Sequence, residues 1–152
     1  MGTAARINSD LERSSVGLGL RVARTTLKYN SSAITAATTT GKFTLTSFLP
    51  AWSMVLGTKV NVKTAFTGGN TTAVLTLGKS STQPEDEFNN GTGSINIYTA
   101  GQKGVEAEDV GNMMTAATSV YGVITVSTLY TALTAGEMTI EIFYLSTEYE
   151  GA

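Results

Sequence analysis

From Leu20 onward the apolar residues of this 152-residue chain return at every second position, and no stretch repeats them with the 3.6-residue period of a helix. Alternation of this kind marks strands with one face in a core and the other towards water. The candidates are Leu20–Tyr29, a less regular Ser32–Thr39, Lys42–Phe48, Met54–Thr67, Thr72–Lys79, Ser94–Tyr98, Tyr121–Leu129 and Glu137–Ser146. Turn signals separate them: Pro50-Ala51-Trp52, Gly68-Gly69-Asn70 and Thr134-Ala135-Gly136. With no helices between the strands, parallel βαβ units are excluded. The expected fold is all-β, an antiparallel β-sandwich or jelly roll of about eight strands.

Two strands define the expected core. In Met54–Thr67, Leu56, Thr58, Val60, Val62, Thr64 and Phe66 share one face, and Lys59, Asn61 and Lys63 share the other. In Glu137–Ser146, Met138, Ile140, Ile142 and Tyr144 point inward. Phe143 and Leu145 then make the outer face of that strand apolar too. Such a strand needs cover, either from an arm of the chain or from another subunit.

Residues 1–19 read as an extended N-terminal arm, polar and ending in Gly17-Leu18-Gly19, and residues 20–152 as a single sandwich domain. A short helix around Asp10–Arg13 has too few residues to stand alone. Ser80–Gly93 reads as a long surface loop, and Asp109–Thr118 as a helical turn or crossing loop.

Composition bears on function mainly by exclusion. Charged residues make up 14% of the chain, and 26 threonines and 16 glycines stand in their place, a strand-and-turn composition. There is no cysteine, hence no disulfide, thiolate metal site or thiol nucleophile. There is no histidine, hence no Ser-His-Asp triad and no imidazole ligand or base. The acidic groups Glu85-Asp86-Glu87 and Glu106, Glu108 and Asp109 read as solvated loops rather than a carboxylate pair or a calcium site. No phosphate-binding glycine loop is present. No catalytic residue, cofactor or metal is expected.

The net charge is −2, which argues against nucleic acid as a partner. No segment approaches a membrane span, and residues 1–6 lack an apolar signal core, so synthesis in the cytoplasm is expected. The sequons at Asn30, Asn70 and Asn90 then read as turn residues. The charge is unevenly placed. Residues 1–28 carry a local +3 and the remainder −5, and all four arginines, Arg6, Arg13, Arg21 and Arg24, lie in the first 24 residues. These four are the candidate partner-binding residues, a basic set able to reach an acidic surface.

The run Val60-Asn61-Val62-Lys63-Thr64-Ala65-Phe66-Thr67-Gly68-Gly69, the strand Leu75-Thr76-Leu77-Gly78-Lys79-Ser80, the positions of Asp86 and Phe88, and the closing Leu133-Thr134-Ala135-Gly136-Glu137-Met138-Thr139-Ile140-Glu141-Ile142-Phe143-Tyr144-Leu145 together form a pattern. Over about residues 54–146 it resembles small β-sandwich virion proteins of tailed bacteriophages, of the capsid decoration or cement type. The resemblance implies a non-enzymatic protein on the capsid exterior, a homo-oligomer (dimer or trimer) that binds the major capsid protein and bridges its subunits. The alternative is a tail, fibre or head–tail connector component with a carbohydrate- or protein-binding sandwich.

Overall fold

Alternating burial along the strands builds two antiparallel sheets in the computed structural model, which describes residues 19–45, 49–81, 88, 94–105 and 113–146. The strands are β1 (Leu20–Lys28), β2 (Thr35–Ala36), β3 (Thr40–Thr44), β4 (Ser53–Gly68), β5 (Ala73–Gly78), β6 (Ile95–Asn96), β7 (Gly101–Val105), β8 (Tyr121–Val126) and β9 (Leu133–Ser146). One sheet has the order β1-β9-β4-β7 and the other β2-β3-β8-β5-β6. Without the two-residue β2, the eight remaining strands run first-eighth-third-sixth and second-seventh-fourth-fifth. That is a jelly roll, in which successive strands cross between two packed sheets. The all-β sandwich expected from alternation is the fold observed.

The core lies between the sheets. Val55, Val60, Val62 and Phe66 of β4 and Met138, Ile140 and Ile142 of β9 meet Leu75, Leu77 and Ile124 of the opposite sheet, all at most 1% exposed. Burying each such side chain stabilises the fold by about 1.5–3 kcal/mol. The inward face expected of the last strand is the one found. Phe88 enters the same core, 0% exposed, with its N–H donating to Leu77 O and its carbonyl accepting from Thr58 Oγ1 at 2.6 Å.

The central strand departs from the expected pattern. Val55 faces Tyr144 but Gly57 faces Phe143, so Leu56 is the extra residue of a β-bulge. The bulge moves the buried phase from Ser53 and Val55 to Thr58, Val60 and Val62. Leu56, expected inside, is 39% exposed, and a second irregularity after Val62 leaves Thr64 exposed as well.

Other expectations are corrected too. Thr134-Ala135-Gly136 is not the turn: β9 already begins at Leu133, and a 3₁₀ turn at Tyr130–Ala132 reverses the chain. Gly136 has φ +151 within the strand, where the Phe66 ring lies against its backbone and a Cβ would meet the ring. Gly101–Val105, which is not among the strand candidates, pairs with Val62–Thr58 as β7. The irregular second candidate shrinks to Thr35–Ala36. Residues 113–118 are not helical, but touch the sheets through single bridges, Met54 to Met113 and Leu49 to Thr118. Residues 1–18 of the expected arm 1–19, the acidic loop residues Glu85, Asp86, Glu87, Glu106, Glu108 and Asp109, and the sequon Asn90 lie outside the described residues.

A candidate interaction face on the outer sheet surface

Directly opposed residues of an antiparallel pair share a face, so the register of β1-β9-β4-β7 fixes the outer surface of that sheet row by row. The first row is Leu20, Leu145, Met54 and Met113. The second is Val22, Phe143 and Gly57, with the bulged Leu56 beside it. The third is Arg24, Glu141 and Lys59; the fourth is Thr26, Thr139 and Asn61; the fifth is Lys28, Glu137 and Thr64.

The last three rows look like an ordinary wet sheet surface. Arg24 Nε donates to Glu141 Oε1 at 2.8 Å, and Lys59 Nζ lies 3.7 Å from Glu141 Oε2. Thr26 and Thr139 share a hydroxyl hydrogen bond at 2.9 Å. Lys63 Nζ donates to Glu137 Oε1 at 3.0 Å. Each is a cross-strand pair worth roughly 0.2–1 kcal/mol.

The first two rows are apolar without interruption. Leu20 is 61% exposed, Met113 43%, Val22 40% and Leu56 39%, while Met54, Phe143 and Leu145 are half-buried. A contiguous apolar area on one end of one sheet face marks a contact surface. At the same end, the turn before β4 displays Trp52, 53% exposed, with φ 60. A left-handed backbone costs a bulky residue about 1–3 kcal/mol. The turn is held by Trp52 N–H to Met114 O and by the Ser53 N–H and hydroxyl to Pro50 O.

The four sequence-selected arginines do not form one cluster. Arg6 and Arg13 lie outside the described residues. Arg21 and Arg24 are three apart on β1, so they leave on opposite faces. Arg21 follows the inward phase of Ala23, Thr25 and Leu27, opposite Tyr144, and is half-buried. Arg24 is on the outer face with Glu141. The apolar rows were only half visible in the sequence. Phe143 and Leu145 stand out within β9, but Leu20, Val22, Met54 and Met113 come beside them only through pairing.

The hollows of the described residues offer little chemistry. A 330 Å³ hollow beside Tyr29, Ile34, Tyr130 and Leu133 has the two tyrosines as its titratable groups. Burial pushes the Tyr130 phenol up to about 12. Its hydroxyl donates to Tyr29 O at 3.1 Å. A second hollow of 170 Å³ lies between Thr35, Lys42, Phe43 and Tyr121. Among the described residues, no three acidic, histidine or cysteine side chains gather to hold a metal.

No protein-family model matches the chain, and no curated protein matches it in sequence. Solved structures do match in fold. A chain of the cyanophage Pam1 capsid asymmetric unit superposes with a TM-score of 0.54 at 18% identity, over 86% of each chain. A chain of the acid-stable capsid of Helicobacter pylori bacteriophage KHP30 gives 0.55 at 14% identity, over 85% of this chain and 89% of that one. At these identities the likeness is one of fold.

Proposed function

We propose that the protein is a non-enzymatic structural protein of a bacteriophage virion, a decoration or cement protein that binds the outside of the capsid and stabilises contacts between major capsid protein subunits. The observation that carries this reading is the jelly roll shared with chains of two phage capsids over most of both lengths. The sequence pattern of residues 54–146 points the same way. In this reading the protein is made in the host cytoplasm and sits on the shell as a dimer or trimer. Arg6, Arg13 and Arg21, with the exposed part of the Arg24 guanidinium beside Glu141, meet acidic capsid loops. Such contacts steer docking more than they tighten it.

The test is the copy number of the chain in purified virions, by quantitative mass spectrometry against the major capsid protein. One copy per capsid subunit, or a simple fraction such as one third, is expected. A few copies per particle would instead place the protein in the tail, fibre or connector, and absence from particles would overturn the virion reading. Co-sedimentation with bare capsids adds the site: Arg6→Glu with Arg13→Glu is expected to weaken binding at least tenfold.

A further inference from the structure

We infer that β1 is an acceptor edge for a partner protein, onto which an extended acidic segment of that partner adds as a further antiparallel strand. β1 ends the sheet β1-β9-β4-β7, and its nine residues pair with β9 one for one, without a bulge or a proline. Nine strand residues span about 30 Å. The other sheet margins are shorter, with five residues in β7 and two each in β2 and β6.

The register decides which backbone groups face outward. Tyr29 N–H donates to Gly136 O at 3.0 Å, one step beyond the Lys28–Glu137 pair. Hydrogen-bonded and non-hydrogen-bonded pairs alternate in an antiparallel ladder, so Leu27, Thr25, Ala23 and Arg21 bond to β9. The alternate residues, from Leu20 to Lys28, turn their N–H and C=O away from the sheet. Among the described residues, nothing bonds the backbone of Leu20, Val22 or Thr26 on that side. A row of alternating donors and acceptors is matched by another polypeptide strand.

The side chains select the strand. Lys28 is exposed and Arg21 half-buried, and the pairing with Glu141 leaves the Arg24 side chain 66% exposed. β1 itself holds no carboxylate. A second β1 would therefore bring only cations in any register, the arrangement by which edge strands avoid their own copies. An acidic strand offers all three cations an opposite charge. Opposite Leu20 and Val22 it needs apolar residues, which widen the two apolar rows of the outer face by one strand.

The test uses the free protein, so its outcome is separate from whether the protein coats a capsid. The probe is the end-capped peptide Glu-Val-Thr-Val-Glu-Val-Val-Glu-Val, whose glutamates fall opposite Lys28, Arg24 and Arg21 in antiparallel register. The readout is amide hydrogen exchange of the ¹⁵N-labelled protein. Alone, Val22 and Thr26 should exchange quickly while Ala23 and Leu27 are protected. Excess peptide should slow Val22 and Thr26 by about tenfold or more, and the same peptide with lysines for glutamates should not. Val22→Pro, at an edge position where proline is tolerated, should abolish the protection of Thr26, and Lys28→Glu should weaken it several-fold. No protection by the acidic peptide would overturn the proposal, as would equal protection by the lysine peptide or protection that survives both substitutions. Slow exchange of Val22 and Thr26 in dilute free protein would overturn it by showing the edge covered within the chain. Protection that rises with protein concentration alone would overturn it by assigning the edge to a second copy.

Discussion

Phe43 and Gly122 face each other across β3 and β8, and the phenyl ring lies where a side chain at 122 would be. A Cβ on Gly122 would overlap the ring, which is itself 4% exposed and held by the core. Gly122→Ala is therefore expected to destabilise the fold by about 1–3 kcal/mol through overpacking. Phe43→Leu should also destabilise, but the pair together should cost less than the sum. A double-mutant cycle by urea denaturation measures that coupling.

Asn70 is 3% exposed and ties the turn that crosses from β4 to β5 to the chain just after β8. Its Nδ2 donates to Leu129 O at 2.9 Å, and its Oδ1 accepts from Thr128 N–H at 2.9 Å and the Thr128 hydroxyl at 2.8 Å. Asn70→Ala leaves a buried carbonyl and a buried N–H without these partners, which should cost about 1–3 kcal/mol. Asn70→Asp keeps the acceptor but loses the donor to Leu129 and buries a charge. It should be no better than alanine at pH 7, as read by thermal melts.

The β1-β9-β4-β7 sheet marks what the sequence could and could not convey. Strands β1 and β9 are legible because their buried residues alternate without interruption, from Ala23 to Leu27 and from Met138 to Tyr144. Leu56 is poorly legible, because one bulged residue reverses the inward phase and its single sign is the neighbouring Gly57, an isolated glycine inside a strand pattern. Strand β7 carries Gly101, Gln102, Lys103 and Gly104, which hold no alternation; it exists because β4 offers a free edge there. Gly136 looks like a turn but serves a strand, since Phe66 needs the space. The apolar rows depend on register, which no single strand encodes. The separation of Arg21 from Arg24 was available in principle: an odd spacing on one strand puts two residues on opposite faces.

Phe88 is expected to be the anchor of the loop between β5 and β6. It fills the core beside Leu77 and accepts a hydrogen bond from the buried Thr58 hydroxyl. Phe88→Ala should cost about 3–5 kcal/mol. Thr58→Val, nearly the same shape, should cost only about 1 kcal/mol for the lost hydrogen bond. Limited proteolysis should then cut between residues 80 and 93 faster in the Phe88 variant than in the Thr58 variant. Equal rates would mean that Phe88 does not secure the loop.

Glu141 stands between two cations, Arg24 on β1 and Lys59 on β4. Its side chain is 13% exposed, while those of Arg24 and Lys59 are 66% and 39% exposed. Solvent screens the pairs, so Glu141→Gln should cost only about 1 kcal/mol at low salt. The loss should shrink in 1 M salt, where the Debye length is about 3 Å. A salt-independent loss would mean that Glu141 acts through packing alone.

Tyr130 makes the alkaline limb of stability specific. Burial raises its phenol from the ordinary value of 10.0 to about 12 in the folded protein. Between these values the unfolded chain releases the proton and the folded chain keeps it, so the unfolded state binds fewer protons and stability falls as pH rises. The contribution is whole below pH 10 and is lost progressively up to about pH 12. Tyr130→Phe removes the titration together with the hydrogen bond to Tyr29 O, for about 1 kcal/mol near neutrality. The gap between wild type and variant, measured by urea denaturation at pH 7 to 12, should therefore narrow above pH 10 and then change sign. A gap that stays constant across this range would mean that Tyr130 ionises as easily in the fold as out of it.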